Sequence, residues 1–385
     1  MSDDWRNGGF GVYIHWPFCE SKCPYCDFNS FVSPKVDHDR WLSSYLSEIE
    51  RYARLLPGRV LNSVFFGGGT PSLMPADVVS AIIETLRAHW PAANDLEITL
   101  EANPTSVEAT RFQGFSSAGV NRVSMGVQAL NDADLRRLGR THTTEDALQA
   151  FDIAKQIFDR VSFDLIYARQ DQSLEDWCAE LRRALELSVD HLSLYQLTIE
   201  PGTPFGTRHA QGRLRGLPGG DDAADMYDAT QEICTAAGYA TYEVSNHARP
   251  GAESRHNLIY WNYGDFVGIG PGAHGRITVG ARRYATETYS HPDRWLSAVR
   301  DGSGERERNA ISGPEQADEY LMMGLRLRDG IDLNRYEALA QSSLGQSAID
   351  HLCDLDLVRV THRRLHVTAA GRPVLNSVIR ELLVS

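Results

Sequence analysis

Cys19, Cys23 and Cys26 stand in the run Gly11 to Phe28, GVYIHWPFCESKCPYCDF, as a C-x3-C-x2-C triplet directly after a short apolar segment. A deprotonated thiol is a strong ligand for iron or zinc, so three on one tight loop can hold a metal centre. A 4Fe–4S cluster usually takes four cysteines. Three leave one iron without a protein ligand, and that open position can accept a substrate or cofactor. Plainer chemistries compete. The spacing also suits a structural zinc ion, with His15 as fourth ligand, and the three thiols could be unrelated. Polar groups farther along the chain bear on the choice.

Gly67-Gly68-Gly69-Thr70 follows an apolar run. Consecutive glycines permit positive φ and close approach of a ligand to bare backbone, whose N–H groups can bind an anion. A lone triple glycine is otherwise only a turn. Glu101 closes the run Leu96–Glu101, Gln128 ends SMGVQ, and Arg140 sits in LGRTH. The plainer readings are a surface acid for Glu101 and a solvated helix-flanking base for Arg140. Asp164, in FDLIY, is an acid inside an apolar run. An unpaired buried carboxylate is costly, so it needs a partner. Tyr13 falls on one face of the first apolar run, either as a core residue or as a surface for a ring.

Six strand-like and helix-like segments alternate from Phe10 onward. The strand-like runs are 11–16, 60–66, 96–101, 121–125, 161–166 and 192–199, rich in Val, Ile, Leu and Phe as doubly buried strands should be. Helical periodicity fills 41–56, 75–89, 105–118, 144–158 and 173–187, with carboxylates in the first turn of several. Units of β then α in series predict parallel strands with right-handed crossovers. The fold class is α/β, a partial (β/α)6 barrel with a small helical, winged-helix-like domain at its C-terminal end. In barrels of this type chemistry sits at the C-terminal ends of the strands, where the Cys loop, Gly67–Thr70, Glu101, Gln128 and Asp164 all fall.

The triplet, with Tyr25 before its last cysteine, and the GGGTP string resemble the radical S-adenosylmethionine (SAM) superfamily. Its open iron takes the amino and carboxylate groups of SAM. The strings YIHWPFC, CPYCDF, FFGGGTPS, SMGVQ, FDLIY and SLYQLTIEPGTPF narrow the resemblance to the branch of oxygen-independent coproporphyrinogen III oxidase and its heme-chaperone relatives. It covers roughly residues 9 to 385. It implies a 4Fe–4S cluster on Cys19, Cys23 and Cys26, and SAM among Tyr13, Tyr25, Gly67, Gly68, Gly69, Thr70, Glu101, Gln128, Arg140 and Asp164. One departure is Ala168-Arg169-Gln170, where the branch usually has Gly-Leu-Pro. The oxidase carries a fourth cysteine two residues after the triplet and a long N-terminal extension. Here that position is Phe28, and the first strand is reached by Phe10. Both differences favour the chaperone, whose cargo is heme and whose recipient is an apoprotein, a respiratory heme enzyme at the membrane. Radical decarboxylation of coproporphyrinogen III is the enzymatic alternative, and a zinc-stabilised binding module stands outside both.

Farther on, Phe205 to Gly220 reads as an exposed, mobile loop, 221–237 as a helix, and 240–244 as a strand. His256, Asn257, Tyr260 and Trp261 form an HNxxYW string like that of the heme chaperones. An imidazole is a usual axial ligand of heme iron, and the aromatic rings could wall a porphyrin pocket. The plainer reading is a packed aromatic turn with the imidazole hydrogen-bonded. Gly268 to Gly275 implies backbone passing close to the barrel or a ligand. Arg300 to Gly313, polar and rich in Gly and Ser, reads as a linker. The domains are then 1–240 (barrel), 241–310 (connecting region) and 311–385 (helices 315–328, 334–344 and 348–354, a hairpin over 357–368, and a last helix 370–383).

Across 385 residues, 42% are hydrophobic and the formal charge is −13. The acidic balance argues against a nucleic-acid partner. No apolar run is long enough for a transmembrane helix and no signal core opens the chain. A cytoplasmic protein is expected, working in part at the inner membrane face, with room for a dimer. Of six cysteines, three lie outside the triplet and read as small buried hydrophobes, which fits a reducing compartment.

Overall fold

The computed structural model describes residues 3–33 and 35–384. Six strands, β1 (Phe10–Trp16), β2 (Leu61–Gly68), β3 (Ala92–Ala102), β4 (Arg122–Gln128), β5 (Arg160–Tyr167) and β6 (His191–Gln196), lie side by side in chain order. Every neighbouring pair among them is parallel. Their apolar residues are buried, among them Val12, Ile14, Val64, Phe66, Ile98 and Leu100. Helices packed on the outer face account for that burial. Helix His38–Leu55 turns Trp41, Tyr45, Ile49 and Tyr52 inward at helical spacing. Burying one such aliphatic side chain contributes about 1.5–3 kcal/mol. Capping boxes start two of the helices, Thr143 with Asp146 before Thr144–Ile157 and Ser173 with Asp176 before Leu174–Leu187. Among the described residues no helix is long and apolar enough to cross a membrane.

The sheet does not close. It runs to twelve strands and extends beyond the six on both edges. Past β6 come two short antiparallel strands, β7 (Ala240–Thr241) and β8 (Asn246–Ala248). Past β1 comes β9 (Asp265–Ile269), parallel to it, and then β10 (His274–Val279), β11 (Arg282–Thr288) and β12 (Glu305–Ile311), all antiparallel. The stretch expected to be a linker therefore carries a sheet strand. Its sequence, ERERNAI, hides this because an outer strand can be held by charge. Arg308 pairs Glu305 at 2.7 Å, and Arg51 of the first long helix pairs the same carboxylate at 2.9 Å. The loop expected to be exposed and mobile also has order. Thr203 caps helix Pro204–Ala210, and Phe205 is buried against Tyr25, with its N–H donating to the Pro24 carbonyl at 2.9 Å. The glycines of Gly268–Gly275 do pass close to the barrel. A Cβ at Gly270 would meet the His15 carbonyl at 2.3 Å, and one at Gly272 the Asn29 amide at 2.5 Å.

Residues 313–384 form a unit with its own core, including Leu321, Leu325, Ile349, Leu352, Leu365 and Leu382. Helices Gly313–Gly324, Leu333–Ala340 and Gln346–Asp354 pack on a three-stranded sheet. Its strands are β13 (Ile331–Asp332), β14 (Val358–Thr361) and β15 (Arg364–Val367), an arrangement like a winged helix. The last helix starts at Leu375 rather than Ala370, after a tight turn over Arg372–Val374 that holds Pro373. Ion pairs tie this unit to the barrel: Arg335 with Asp4 and Arg276 with Glu319, both at 2.8 Å.

A buried cluster fastens the antiparallel strands to the parallel ones. Asp265, fully buried at the start of β9, takes hydrogen bonds from the Thr278 N–H and hydroxyl, and lies 3.2 Å from Arg59 and 3.7 Å from Arg283. Removing its carboxylate would leave the largely buried Arg59 without its ion-pair partner and Arg283 with Asp4 alone, at 4.0 Å. Asp265→Ala is expected to lower unfolding free energy by about 3–5 kcal/mol in urea denaturation.

Candidate functional site

The strand ends converge on one cavity of about 1120 Å³. Cys19, Cys23, Cys26 and Tyr25 line it from the loop after β1; Gly68, Gly69 and Thr70 from the end of β2; and Glu101 from β3. Gln128 lines it from β4, Arg140 from the loop beyond, and Asp164 from β5. A short parallel pair, Phe18–Cys19 with Phe31–Val32, pinches the ends of the Cys loop together.

Arg140 braces the loop. Its guanidinium donates to Cys23 Sγ at 3.3 Å, to Asn103 Oδ1 at 2.7 Å and to the Gly126 carbonyl at 2.8 Å. The backbone N–H groups of the glycine run bond within the protein. Gly68 N–H goes to Glu101 Oε2 at 3.2 Å, Gly69 N–H to the Trp16 carbonyl at 2.7 Å, and Thr70 N–H to the Phe18 carbonyl at 2.8 Å. These donors are thus committed inside the protein. A Cβ at Gly69 would strike the Phe18 backbone at 2.6 Å, so glycine lets β2 press against the start of the Cys loop. Gly67 faces the Tyr13 ring. Gln128 has φ 73°, where the register between β4 and β5 shifts. Such a conformation is costly for a residue with a side chain, and clusters at functional sites.

Glu101 and Asp164 form an acidic floor. Burial, and then the charge of Asp164, pushes Glu101 up to about 8, against the pull of the Gly68 N–H and Arg122. Burial pushes Asp164 up to about 6, opposed by hydrogen bonds from Ser193 and Ser124 and by Arg122. Asp164 has the partners its burial called for, including the Ser124 hydroxyl at 3.4 Å.

Tyr13 and Gly67 are not on the cavity wall; Tyr13 packs with Phe65 and His256 and hydrogen-bonds His15 at 3.1 Å. His15 is itself engaged by the Asn29 carbonyl at 2.9 Å, which leaves zinc without the fourth ligand considered for it. Among the described residues no three His, Cys, Asp or Glu side chains converge as they would on one metal ion. Three thiols on one loop at the wall of a large cavity, with Arg140 beside one of them, are donors of the kind an iron–sulfur cluster takes.

The HNxxYW residues lie elsewhere. His256 is buried, with Nδ1 bonded to the Ser63 hydroxyl at 2.7 Å and Nε2 to the Tyr260 hydroxyl at 3.0 Å. Burial, with Arg122 next, drives its pKa down to about 3, so it is neutral. None of His256, Asn257, Tyr260 and Trp261 lines the cavity. Residues that do, and that sequence reasoning passed over as site residues, include Asn103, Ser124, Arg326 and Arg372. Asn103 could have been found from its place directly after a strand; Ser124, inside its strand, and the two arginines carry no local signal.

A native state that keeps the Glu101 proton after the unfolded chain has lost it is favoured below the ordinary 4.5, and that contribution is lost as pH rises to about 8. Without ligand, Glu101→Gln is expected to gain stability relative to wild type as pH rises from about 5 to about 8, read from urea midpoints.

Two family models match the chain: the radical SAM superfamily over residues 13–184 and the HemN C-terminal domain over residues 311–374. The mitochondrial radical S-adenosyl methionine domain-containing protein 1 of Bos taurus is 41% identical over 97% of this chain and 87% of its own length. Heme chaperone HemW of Escherichia coli is 40% identical over 88% of this chain and 87% of its own length. The solved structure of coproporphyrinogen III oxidase (HemN) from Escherichia coli superposes with a TM-score of 0.81, covering 99% of this chain and 93% of that one, at 23% identity. That likeness establishes the shared fold. With the cysteine loop, the strand-end residues and the C-terminal unit in place, this chain is a member of the radical SAM superfamily and, within it, of the family that includes HemW.

Proposed function

We propose that this chain is a heme chaperone that holds a 4Fe–4S cluster, SAM and a heme, and passes the heme to a recipient apoprotein, a respiratory enzyme at the membrane. The observation that carries this reading is the size and composition of the cavity at the strand ends. At about 1120 Å³ it exceeds the ~300–1,000 Å³ of ordinary small-molecule sites. One end has three thiols and an acidic floor, and the other is walled by the C-terminal unit. The cluster, when bound, supplies an iron with an open position for SAM. Cys19, Cys23 and Cys26 would hold it, Arg140 fixes the loop, and Glu101 and Asp164 stand where they can accept hydrogen bonds from a cationic ligand. Phe28, exposed at the cavity where the oxidase has its fourth cysteine, supports the chaperone over the decarboxylating enzyme. The HNxxYW residues act in this reading from behind the wall, with His256 packing between β1 and β2 through Tyr13 and Phe65.

Hemin titration of anaerobically purified protein tests the proposal. Saturable binding is expected. His256→Ala should leave the Soret band of bound hemin in place while lowering the unfolding midpoint. A displaced band in the variant would make the imidazole an iron ligand. Absence of binding in wild type, with protoporphyrinogen formed from coproporphyrinogen III, SAM and a reductant, would establish the oxidase instead.

A further inference from the structure

The cavity has a cationic wall that neither the thiols nor the acidic floor accounts for. It belongs to the C-terminal unit, whose Arg326 and Arg372 face the strand ends together with the first turn of helix Leu375–Val384. Arg326 donates to the Met322 carbonyl, and its guanidinium carbon lies 5.9 Å from the centroid of the Trp261 ring. Arg372 donates to the carbonyls of Arg326 and Leu327, each at 2.7 Å. Among the described residues neither guanidinium makes an ion pair. The acid they feel is Glu243, and its carboxylate is occupied by the Asn246 side chain and the Ser245 N–H. A guanidinium offers five N–H donors in a fork that matches a carboxylate. Arg326 spends few of them within the protein, and partial burial makes an unanswered positive charge costly. A bound anion would answer it.

We propose that Arg326, with Arg372 beside it, is the subsite for the carboxylate groups of the porphyrin cargo, and that Trp261 of the HNxxYW string holds the Arg326 guanidinium in place. The inference rests on the reading of the cavity as a porphyrin site. The ionised groups of a heme periphery are two propionates on one edge, so this wall would fix the orientation of the ring. The propionate edge lies against the C-terminal unit and the opposite edge points toward the Cys loop. It also gives Trp261 a role without ring stacking, since the indole acts on the cargo through Arg326.

Hemin and its dimethyl ester separate the two layers of the claim, because the ester keeps the iron and the ring and lacks both charges. Both are titrated into the anaerobically purified full chain. Wild type is expected to prefer hemin by roughly 10–100-fold, as charge-assisted hydrogen bonds would give. Arg326→Gln should reduce that preference to about threefold or less while binding the ester as wild type does. Arg326→Lys keeps the charge without the fork and is expected to lose several-fold of the preference, so it serves if the glutamine variant fails to fold. Equal affinity of wild type for both compounds, or an undiminished preference in either variant, would overturn the subsite and leave the porphyrin reading standing. Failure of both compounds to bind wild type would overturn the two together.

Discussion

One guanidinium links the parts that must be aligned. Arg140 reaches Cys23 in the metal loop, Asn103 after the third strand and the Gly126 carbonyl in the fourth. A largely buried cation needs every donor answered, and here the acceptors are the elements whose relative position makes the site. Asn103 is fixed in turn: its N–H donates to Glu108 at 2.8 Å, and the buried Glu108 carboxylate also accepts from Ser72. The loop is held from its other side by Phe205 beneath Tyr25 and by the Gly69 and Thr70 N–H groups on the Trp16 and Phe18 carbonyls. A sulfur loop secured at so many points can present its thiols before any metal arrives.

The same cavity joins two units with separate cores. The parallel sheet supplies thiols and carboxylates, while the C-terminal unit supplies guanidiniums. Carboxyls and thiols from one unit and guanidiniums from the other thus line a space large enough for more than one ligand. The ion pairs at Arg335–Asp4 and Arg276–Glu319 also link the C-terminal unit to the rest of the chain.

The six βα units were legible because doubly buried strands are apolar throughout and because their helices start with strong caps. The cysteine triplet was legible from its spacing, and Glu101 and Asp164 because each is an acid in an apolar run, whereas Gln128 and Arg140 were singled out by the family resemblance. What escaped had physical reasons. Glu305–Ile311 is a strand held by charge, and no alternation of apolar residues marks it. Phe205 announces burial only once its contact with Tyr25, distant in sequence, is known. The glycines at 67–69 look the same whether a ligand or a neighbouring segment needs the room; only the fold shows that Gly67 faces the Tyr13 ring and Gly69 the Phe18 backbone. For His256 the sequence leaves a heme ligand and a hydrogen-bonded imidazole in a packed aromatic turn both open, and only the fold shows its two nitrogens engaged by the hydroxyls of Ser63 and Tyr260. Arg326 and Arg372 reach the cavity through tertiary docking, which no local pattern encodes.

Iron content measured on anaerobically purified protein, beside a variant with Cys19, Cys23 and Cys26 all replaced by serine, bears most directly on the account. Wild type should be brown, bleach with dithionite and carry about four irons per chain, and the serine variant should be colourless and free of iron. A serine variant that keeps its full iron and colour, or a colourless wild type loaded with zinc, would contradict it.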